Sequence, residues 1–316
     1  LSPGLMEGQL EVDLRKANEV FHDCESNRYD DKWGIQYDHE NALRVRRKFE
    51  KVSGGTFPHV RRLLEVGCGT GYVGLNLCLN EGLVDELYAC DISQGMVEAC
   101  RQNAADLGLE VTAKRSELER LAYPDEEFDM VIGHAILHHI PDVSGALSEI
   151  YRVLVPGGVC MLAGEPTRIG DRLGEAARTG TSFLVKRYVG MGGYFGGVKA
   201  RLRPGPDAAP GGQDDDVRLF EQVVDIHTFK PAEVCGLARE SGFSEARYET
   251  EELACSFVGW VTRTVENTLA EENLTFRWRN WSYATYLRLN RLDDRLYPYL
   301  PSSIFYNMLL YLRKPG

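Results

Sequence analysis

The sequence predicts an α/β protein: a doubly wound, mostly parallel, seven-stranded sheet with a helical N-terminal cover and two cap insertions. Three observations predict it. Between residues 61 and 166, short β-rich runs alternate with segments of helical spacing, as in a parallel sheet flanked by helices. One of these runs leads straight into the glycine loop of LLEVGCGTGYVG, residues 63–74, and a helix begins directly behind it. The alternation breaks after residue 167 and again after residue 252, and resumes each time, so two segments interrupt one core. A chain of 316 residues exceeds the usual domain size of about 100–200. With 43% hydrophobic and 26% charged residues it can bury a large core, which excludes a mostly disordered chain.

The elements follow in order. Residues 1–57 form the cover, helical over 10–52 with Leu10, Val12, Leu14, Ala17, Val20 and Phe21, and interrupted at 27–34. Residues 58–167 are the first part of the core. Its strands are 61–66, LYACD, LEVTA, FDMVIG and GVCMLAG, and over 143–154 one helical face carries Val143, Ala146, Leu147, Ile150, Val153 and Leu154. Residues 168–226 hold GMGGYFGG and RPGPDAAPGGQDDD, the composition of a flexible cap insertion. The core continues over 227–252 with the helix KPAEVCGLARESGF, Pro231 near its first turn, and the strand EARYETEEL. Residues 253–302 form a helical aromatic and basic insertion, and 303–316 supply the final strand in IFYNMLLYLRK. No internal repeat is present.

Charge and cysteine usage narrow the partners. The net charge of −11 would repel a phosphate backbone, which argues against nucleic acid. The eight cysteines form no CxxC pair and several lie in apolar runs, so buried, reduced thiols and a cytoplasmic setting are expected. The opening LSPGLMEGQL lacks a charged stretch followed by an apolar one, so no signal peptide is expected. No apolar run approaches the ~18 residues of a membrane span, so no membrane partner is expected either. Residues 253–316 depart from the acidic trend, with eight basic against five acidic residues. Trp260, Trp278, Trp281, Tyr283 and Tyr286 are interleaved among them. A helical cap or homodimer surface with inward aromatics is favoured there over an anionic or aromatic partner.

The glycine loop carries the chemistry. Gly67, Gly69 and Gly71 give tight turning and close backbone approach to a ligand. The string Gly69-x-Gly71-x-x-Gly74 also fits the dinucleotide fingerprint, so the loop alone does not choose a ligand. Glu65 stands two residues before the first glycine. Asp91 closes the next strand, 20 residues after Gly71, where a carboxylate accepts hydrogen bonds from ribose hydroxyls. A nucleoside-containing ligand follows.

These residues resemble the class I S-adenosylmethionine-dependent methyltransferases. The resemblance rests on Glu65-Val66-Gly67-Cys68-Gly69-Thr70-Gly71, Asp91 with the helix starting at Ser93, and Ser116-Glu117-Leu118. It extends through Tyr123-Pro124-Asp125 with Phe128-Asp129, then Leu137-His138-His139, and the Val-Pro-Gly-Gly turn at 155–158. It covers residues 61–166 well and 228–250 and 303–314 more loosely. It implies S-adenosyl-L-methionine as cofactor and S-adenosyl-L-homocysteine as product. It places Glu65, Gly67, Cys68, Gly69 and Gly71 near the methionine end, Asp91 on the ribose, and Glu117 with Leu118 at the adenine. Ile92, Met96, Gly133, His134 and Tyr29 complete the cofactor set. Glu117 departs from the aspartate common in the family by one methylene.

Methyl transfer from a sulfonium is an in-line displacement with a neutral leaving group. It rests on alignment and, where the acceptor requires it, on a base. The catalytic candidates are His134, at the end of the fourth strand with a side chain that titrates near neutrality, and Glu165, at the end of the fifth. His138 and His139 lack a companion ligand at metal spacing and read as structural, so no metal is expected. His227 reads as structural or exposed, and Trp33 as packing. The expected acceptor is a small, fairly apolar molecule, methylated on O, N or C; a protein lysine is the alternative. A nicotinamide-dependent oxidoreductase fits the loop, but no tyrosine has a lysine four residues on. A non-catalytic cofactor-binding subunit fits the loop equally.

Overall fold

The computed structural model describes residues 3–26, 29–30, 34–191, 227–268 and 276–316. Two helices open the chain, α1 (Pro3–Glu25) and α2 (His39–Ser53). They are followed by β1 (Val60–Val66), α3 (Tyr72–Cys78), β2 (Val84–Asp91), α4 (Gln94–Asp106), β3 (Thr112–Arg115) and β4 (Phe128–His134). Then come a 3-10 turn at Leu137–His139, α5 (Val143–Val153), β5 (Leu154–Pro166) and α6 (Arg168–Met191). The chain closes with α7 (Pro231–Glu240), β6 (Glu245–Glu251), α8 (Ala254–Thr268), α9 (Phe276–Leu296) and β7 (Asn307–Arg313).

The seven strands form one sheet in the order β3-β2-β1-β4-β5-β7-β6. The four pairings that join β3 to β5 are parallel. At the other end Gly157 N donates to Pro315 O and Lys314 N to Gly158 O, so the beginning of β5 meets the end of β7 and that pairing is antiparallel. The predicted doubly wound, mostly parallel sheet is what the chain forms.

Strand composition explains the layering. Leu63 and Leu64 are both fully buried, because helices cover both faces of a parallel sheet. Leu64, Val131, Leu162 and Leu310 pack with Leu147 and Ile150 of α5 and Val234 of α7. Leu63, Ile132, Met161 and Leu309 pack on the other face with Phe49 of α2 and Leu75 of α3. Asp38, Ser93 and Asp142 cap α2, α4 and α5 through side-chain bonds to the third residue on.

Two local expectations shift. The third strand begins at Thr112 and not at Leu109, because Leu109 N closes the end of α4 onto Ala104 O at 2.9 Å. The Val-Pro-Gly-Gly turn lies within β5: the register against β4 jumps from Phe128–Leu154 to Met130–Val159, so residues 155–158 bulge out.

The chain divides into two compact units. The first comprises Leu1–Glu165, Phe220–Glu249 and Met308–Gly316; the second comprises Pro166–Leu219 and Thr250–Asn307. Within the second unit, residues 168–191, expected to begin a flexible insertion, form the helix α6, while 192–226 lie outside the described residues. Helix α8 packs against both α6 and α9. Asp293 of α9 is buried and accepts from the N–H groups of Leu253, Ala254 and Cys255 at 3.0 Å each, satisfying the start of α8. Arg178 stacks 4.5 Å over Trp260, and Trp278 Nε1 donates to Glu266 at 2.8 Å. No described helix is long and apolar enough to cross a membrane.

Candidate functional site

The loop after β1 is left-handed at Gly67 (φ 58°), Gly69 (φ 51°) and Gly71 (φ 92°). At Gly67 a Cβ would stand 2.1 Å from Ile136 Cδ1, so only glycine fits. Asp91 pins the loop from the end of β2: one oxygen accepts from Gly69 N and the other from Ser93 N, both at 2.9 Å. Glu65 lies beneath, accepting from Val73 N at 3.1 Å and Gly74 N at 2.9 Å at the start of α3. Burial outweighs those two bonds and pushes its pKa up to about 8.

The N-terminal segment is tied to the same loop. Asp30 accepts from Thr70 Oγ1 at 2.5 Å, Tyr37 donates to Thr70 O at 2.9 Å, and Asn103 Nδ2 bonds both Asp30 and Thr70 O. At the end of α1, Asp23 accepts from Ser93 Oγ and Gly95 N, docking α1 on the start of α4.

On the far side of the loop, His134 ends β4 and Ala135 takes φ 55°, turning the chain sharply. Gly164 leaves room for the His134 imidazole, which a Cβ would meet at 2.8 Å, and Tyr72 packs edge-on to the ring at 5.9 Å. Burial, then the positive Lys48 and Arg44, hold His134 well below the usual histidine range, so it is neutral at pH 7. Glu165 is fully buried. It accepts from Ile136 N and Leu137 N at 2.9 Å and from His138 N at 3.2 Å, with His138 Nδ1 2.9 Å away.

These elements bound an open cleft of about 740 Å³ at the carboxyl ends of β1, β2 and β4. Of the residues predicted for the site, Tyr29, Gly67, Gly69, Asp91, Ile92, Leu118 and His134 line it. Glu65, Cys68, Gly71, Met96, Glu117, Gly133 and Glu165 do not. Cys68 packs with Ala89, Val97 and Cys100, and Met96 is buried within α4. Gly71 is required because a Cβ would stand 2.7 Å from Leu75; at Gly133 one would press on Leu162 and Val66. One expectation needs correction. Glu165 was expected to touch an acceptor, but its oxygens are occupied by the 136–138 backbone and His138. Glu117 is exposed and does not line the cleft; the carboxylate on the wall is Glu119, which accepts from Arg15 at 3.0 Å.

Sequence reasoning missed Arg15, Asn18 and His22 on α1, Ser116 and Glu119 after β3, and the Ala135–Ile136 and 139–141 wall. The α1 residues carry no motif; only helical spacing relative to Phe21 signals them. Asn18 is buried, donates from Nδ2 to His139 O at 3.1 Å, and its Oδ1 has no partner among the described residues. Trp33 lies outside the described residues. His227 N donates to His138 O at 3.2 Å. Among the described residues no group of three or more His, Cys, Asp or Glu could hold a metal.

Residues 64–162 match the methyltransferase domain family model. That domain, the methyltransferase relatives and the shared fold support a class I S-adenosylmethionine-dependent methyltransferase. The chain is 31% identical over 178 residues to malonyl-[acyl-carrier protein] O-methyltransferase of Halorhodospira halophila, covering 56% of this chain and 57% of that protein. It is 28% identical over 234 residues to demethylmenaquinone methyltransferase of Symbiobacterium thermophilum, covering 69% and 84% respectively. The chain thus spans little more than half the length of the first relative. Phosphoethanolamine N-methyltransferase 2 of Haemonchus contortus, solved with S-adenosyl-L-methionine, shares the fold. Its TM-score is 0.54 at 13% identity, over 93% of this chain and 57% of that one.

The cofactor of the family is S-adenosylmethionine, and the cleft fits it on observations of its own. A Cβ at left-handed Gly69 would meet nothing nearer than Tyr29 Cε1 at 3.9 Å, so this glycine leaves open space on the cleft wall. The Asp91 carboxylate has accepting capacity beyond the two N–H groups it holds. The orphaned Asn18 Oδ1 offers a buried acceptor that a ligand donor would satisfy.

Proposed function

We propose that this chain transfers a methyl group from S-adenosylmethionine to an O, N or C atom of a small, fairly apolar acceptor. The observation that carries the reading is one cleft that joins the Asp91 end of β2 to the His134 end of β4. The bound cofactor supplies an electrophilic methyl on a sulfonium whose leaving group is a neutral thioether.

The chain's residues position and exclude. Gly67 and Gly69 let the backbone approach the ligand, Asp91 accepts from the ribose hydroxyls, and Ile92 and Leu118 flank the base. Ile136, Ile140 and Pro141 give the acceptor end an apolar wall that excludes water. His134 is held neutral, so it orients an acceptor through a ring nitrogen and takes a proton only weakly. Glu65 and Glu165 act as positioning residues. The names of the two relatives, a malonyl-[acyl-carrier protein] O-methyltransferase and a demethylmenaquinone methyltransferase, support a small-molecule acceptor. The eight unpaired thiols support a cytoplasmic setting. The protein-substrate and homodimer readings gain no supporting observation among the described residues.

Calorimetric titration with S-adenosylmethionine, S-adenosylhomocysteine and NAD in parallel is the first test. Binding of both sulfur nucleosides without NAD is expected, followed by transfer of labelled methyl to an acceptor from an apolar small-molecule panel. Binding of NAD alone would return the chain to nucleotide-dependent redox chemistry.

A further inference from the structure

Among the described residues, ten of the eleven exposed large apolar side chains lie in the second unit, and only Val20 of these lies outside it. Surface apolar residues scattered singly need no explanation, but a grouping of this kind does. On α9 it has a pattern. Trp281, Leu292 and Leu296 are 52%, 43% and 38% exposed. At helical spacing they share an arc of about 140° with Arg277, Arg288, Arg291 and Arg295, all exposed. Buried Asp293 faces α8, and Asp294 lies about 60° beyond the edge of that arc.

The four arginines have no acidic partner among the described residues. In a chain of net charge −11, surface cations would ordinarily find one. Helix α6 carries a second stripe: Ile169, Leu173, Phe183 and Leu184 are 42–65% exposed within an arc of about 100°, with Arg187 on the same line.

We propose that the exposed arginine–tryptophan face of α9 docks this protein on a bilayer surface that contains anionic phospholipid. Such a surface accepts each component. Guanidinium groups pair bidentately with lipid phosphates, the indole sits at headgroup depth, and the leucines reach the acyl boundary. A second copy fits the face poorly, because an isologous pairing would set four arginines against four. A nucleic acid fits poorly as well, because it offers nothing to Leu292 and Leu296. The docking is peripheral, which agrees with the absence of a membrane-spanning helix among those described. It stands independently of the methyl-transfer reading.

The test is co-sedimentation of the full chain with vesicles of phosphatidylcholine alone and of phosphatidylcholine with phosphatidylglycerol, at low and high salt. Binding to the anionic vesicles, weakened by salt and about tenfold or more weaker in Arg288→Glu/Arg291→Glu, is expected. Trp281→Ala should weaken binding at both salt concentrations. Circular dichroism and S-adenosylhomocysteine titration keep the variants honest as folded protein, since neither substitution touches the cleft. Absence of vesicle binding, equal binding to neutral vesicles, or binding unchanged in the double variant would overturn the proposal. So would a dimer, or capture by single-stranded DNA, that the same variants abolish while vesicles go unbound.

Discussion

Glu165→Ala separates a buried clamp from a catalytic carboxylate. The wild-type side chain is fully buried and holds the N–H groups of Ile136, Leu137 and His138, together with His138 Nδ1. Truncation leaves three buried donors unpaired, each costing about 1–3 kcal/mol. Partial relaxation of the turn and entry of water reduce the sum, so a loss of about 3–5 kcal/mol is expected. Glu165→Gln keeps one oxygen for Ile136 and Leu137 but turns an amide NH₂ toward His138 N–H, at a cost of about 1–3 kcal/mol. Urea unfolding of the three proteins, with S-adenosylhomocysteine titration of the folded fraction, reads both quantities. The turn forms part of the cleft wall, so affinity should fall in the same order as stability. If Glu165→Ala unfolds within about 0.5 kcal/mol of wild type while turnover collapses, the clamp is wrong and the carboxylate touches the reaction.

Four further outcomes follow from the same geometry. Gly67→Ala puts a methyl 2.1 Å from Ile136 Cδ1 on a left-handed residue; a loss of about 2–4 kcal/mol in unfolding and no measurable nucleoside binding are expected. Asp91→Ala should weaken S-adenosylhomocysteine binding by about 1.5–3 kcal/mol in calorimetry, and unchanged affinity would remove Asp91 from the ribose. Glu65 titrates near 8 in the folded chain, above its unfolded value of about 4.5, so its stabilising contribution is complete below pH 4.5 and lost as pH rises through 8. Between pH 6 and 8 the wild type should therefore lose about 2 kcal/mol more than Glu65→Gln, measured by urea unfolding at both pH values. With His134 held neutral, the pH–rate profile should lack an inflection between pH 6 and 7; one that vanishes in His134→Gln would refute that assignment.

The fold was legible because each strand carries its own signal. Leu63-Leu64 reads as a strand buried on both faces, and Pro231 and the Ser93 and Asp142 caps announce helix starts in the sequence itself. The cofactor end of the cleft was legible for a similar reason, since Gly67, Gly69 and Asp91 are local requirements of one turn and one strand end. Legibility failed where a side chain's task is set by a distant backbone. Glu165 looks like a site carboxylate until the 136–138 turn, nearly thirty residues earlier, is seen to occupy it. Glu117 and Glu119 differ in sequence by two positions, and only the turn after β3 decides which one reaches the wall. Asn18 was invisible because its role requires α1 to cross the cleft, which no motif in residues 3–25 encodes.

The strand order also sets a timetable for synthesis. Strands β1 to β5 pair among themselves, so that part of the sheet can assemble while later residues are still being added. Strand β6 cannot join in the same way. Its sheet neighbour is β7, which leaves the ribosome only after α8 and α9. Until then β6 has no paired edge, and β5 presents an open one. The nascent chain therefore passes through a stage in which the half-sheet is complete and a hydrophobic edge awaits Met308 to Leu312, the stage at which a chaperone or a misplaced strand would most readily intervene.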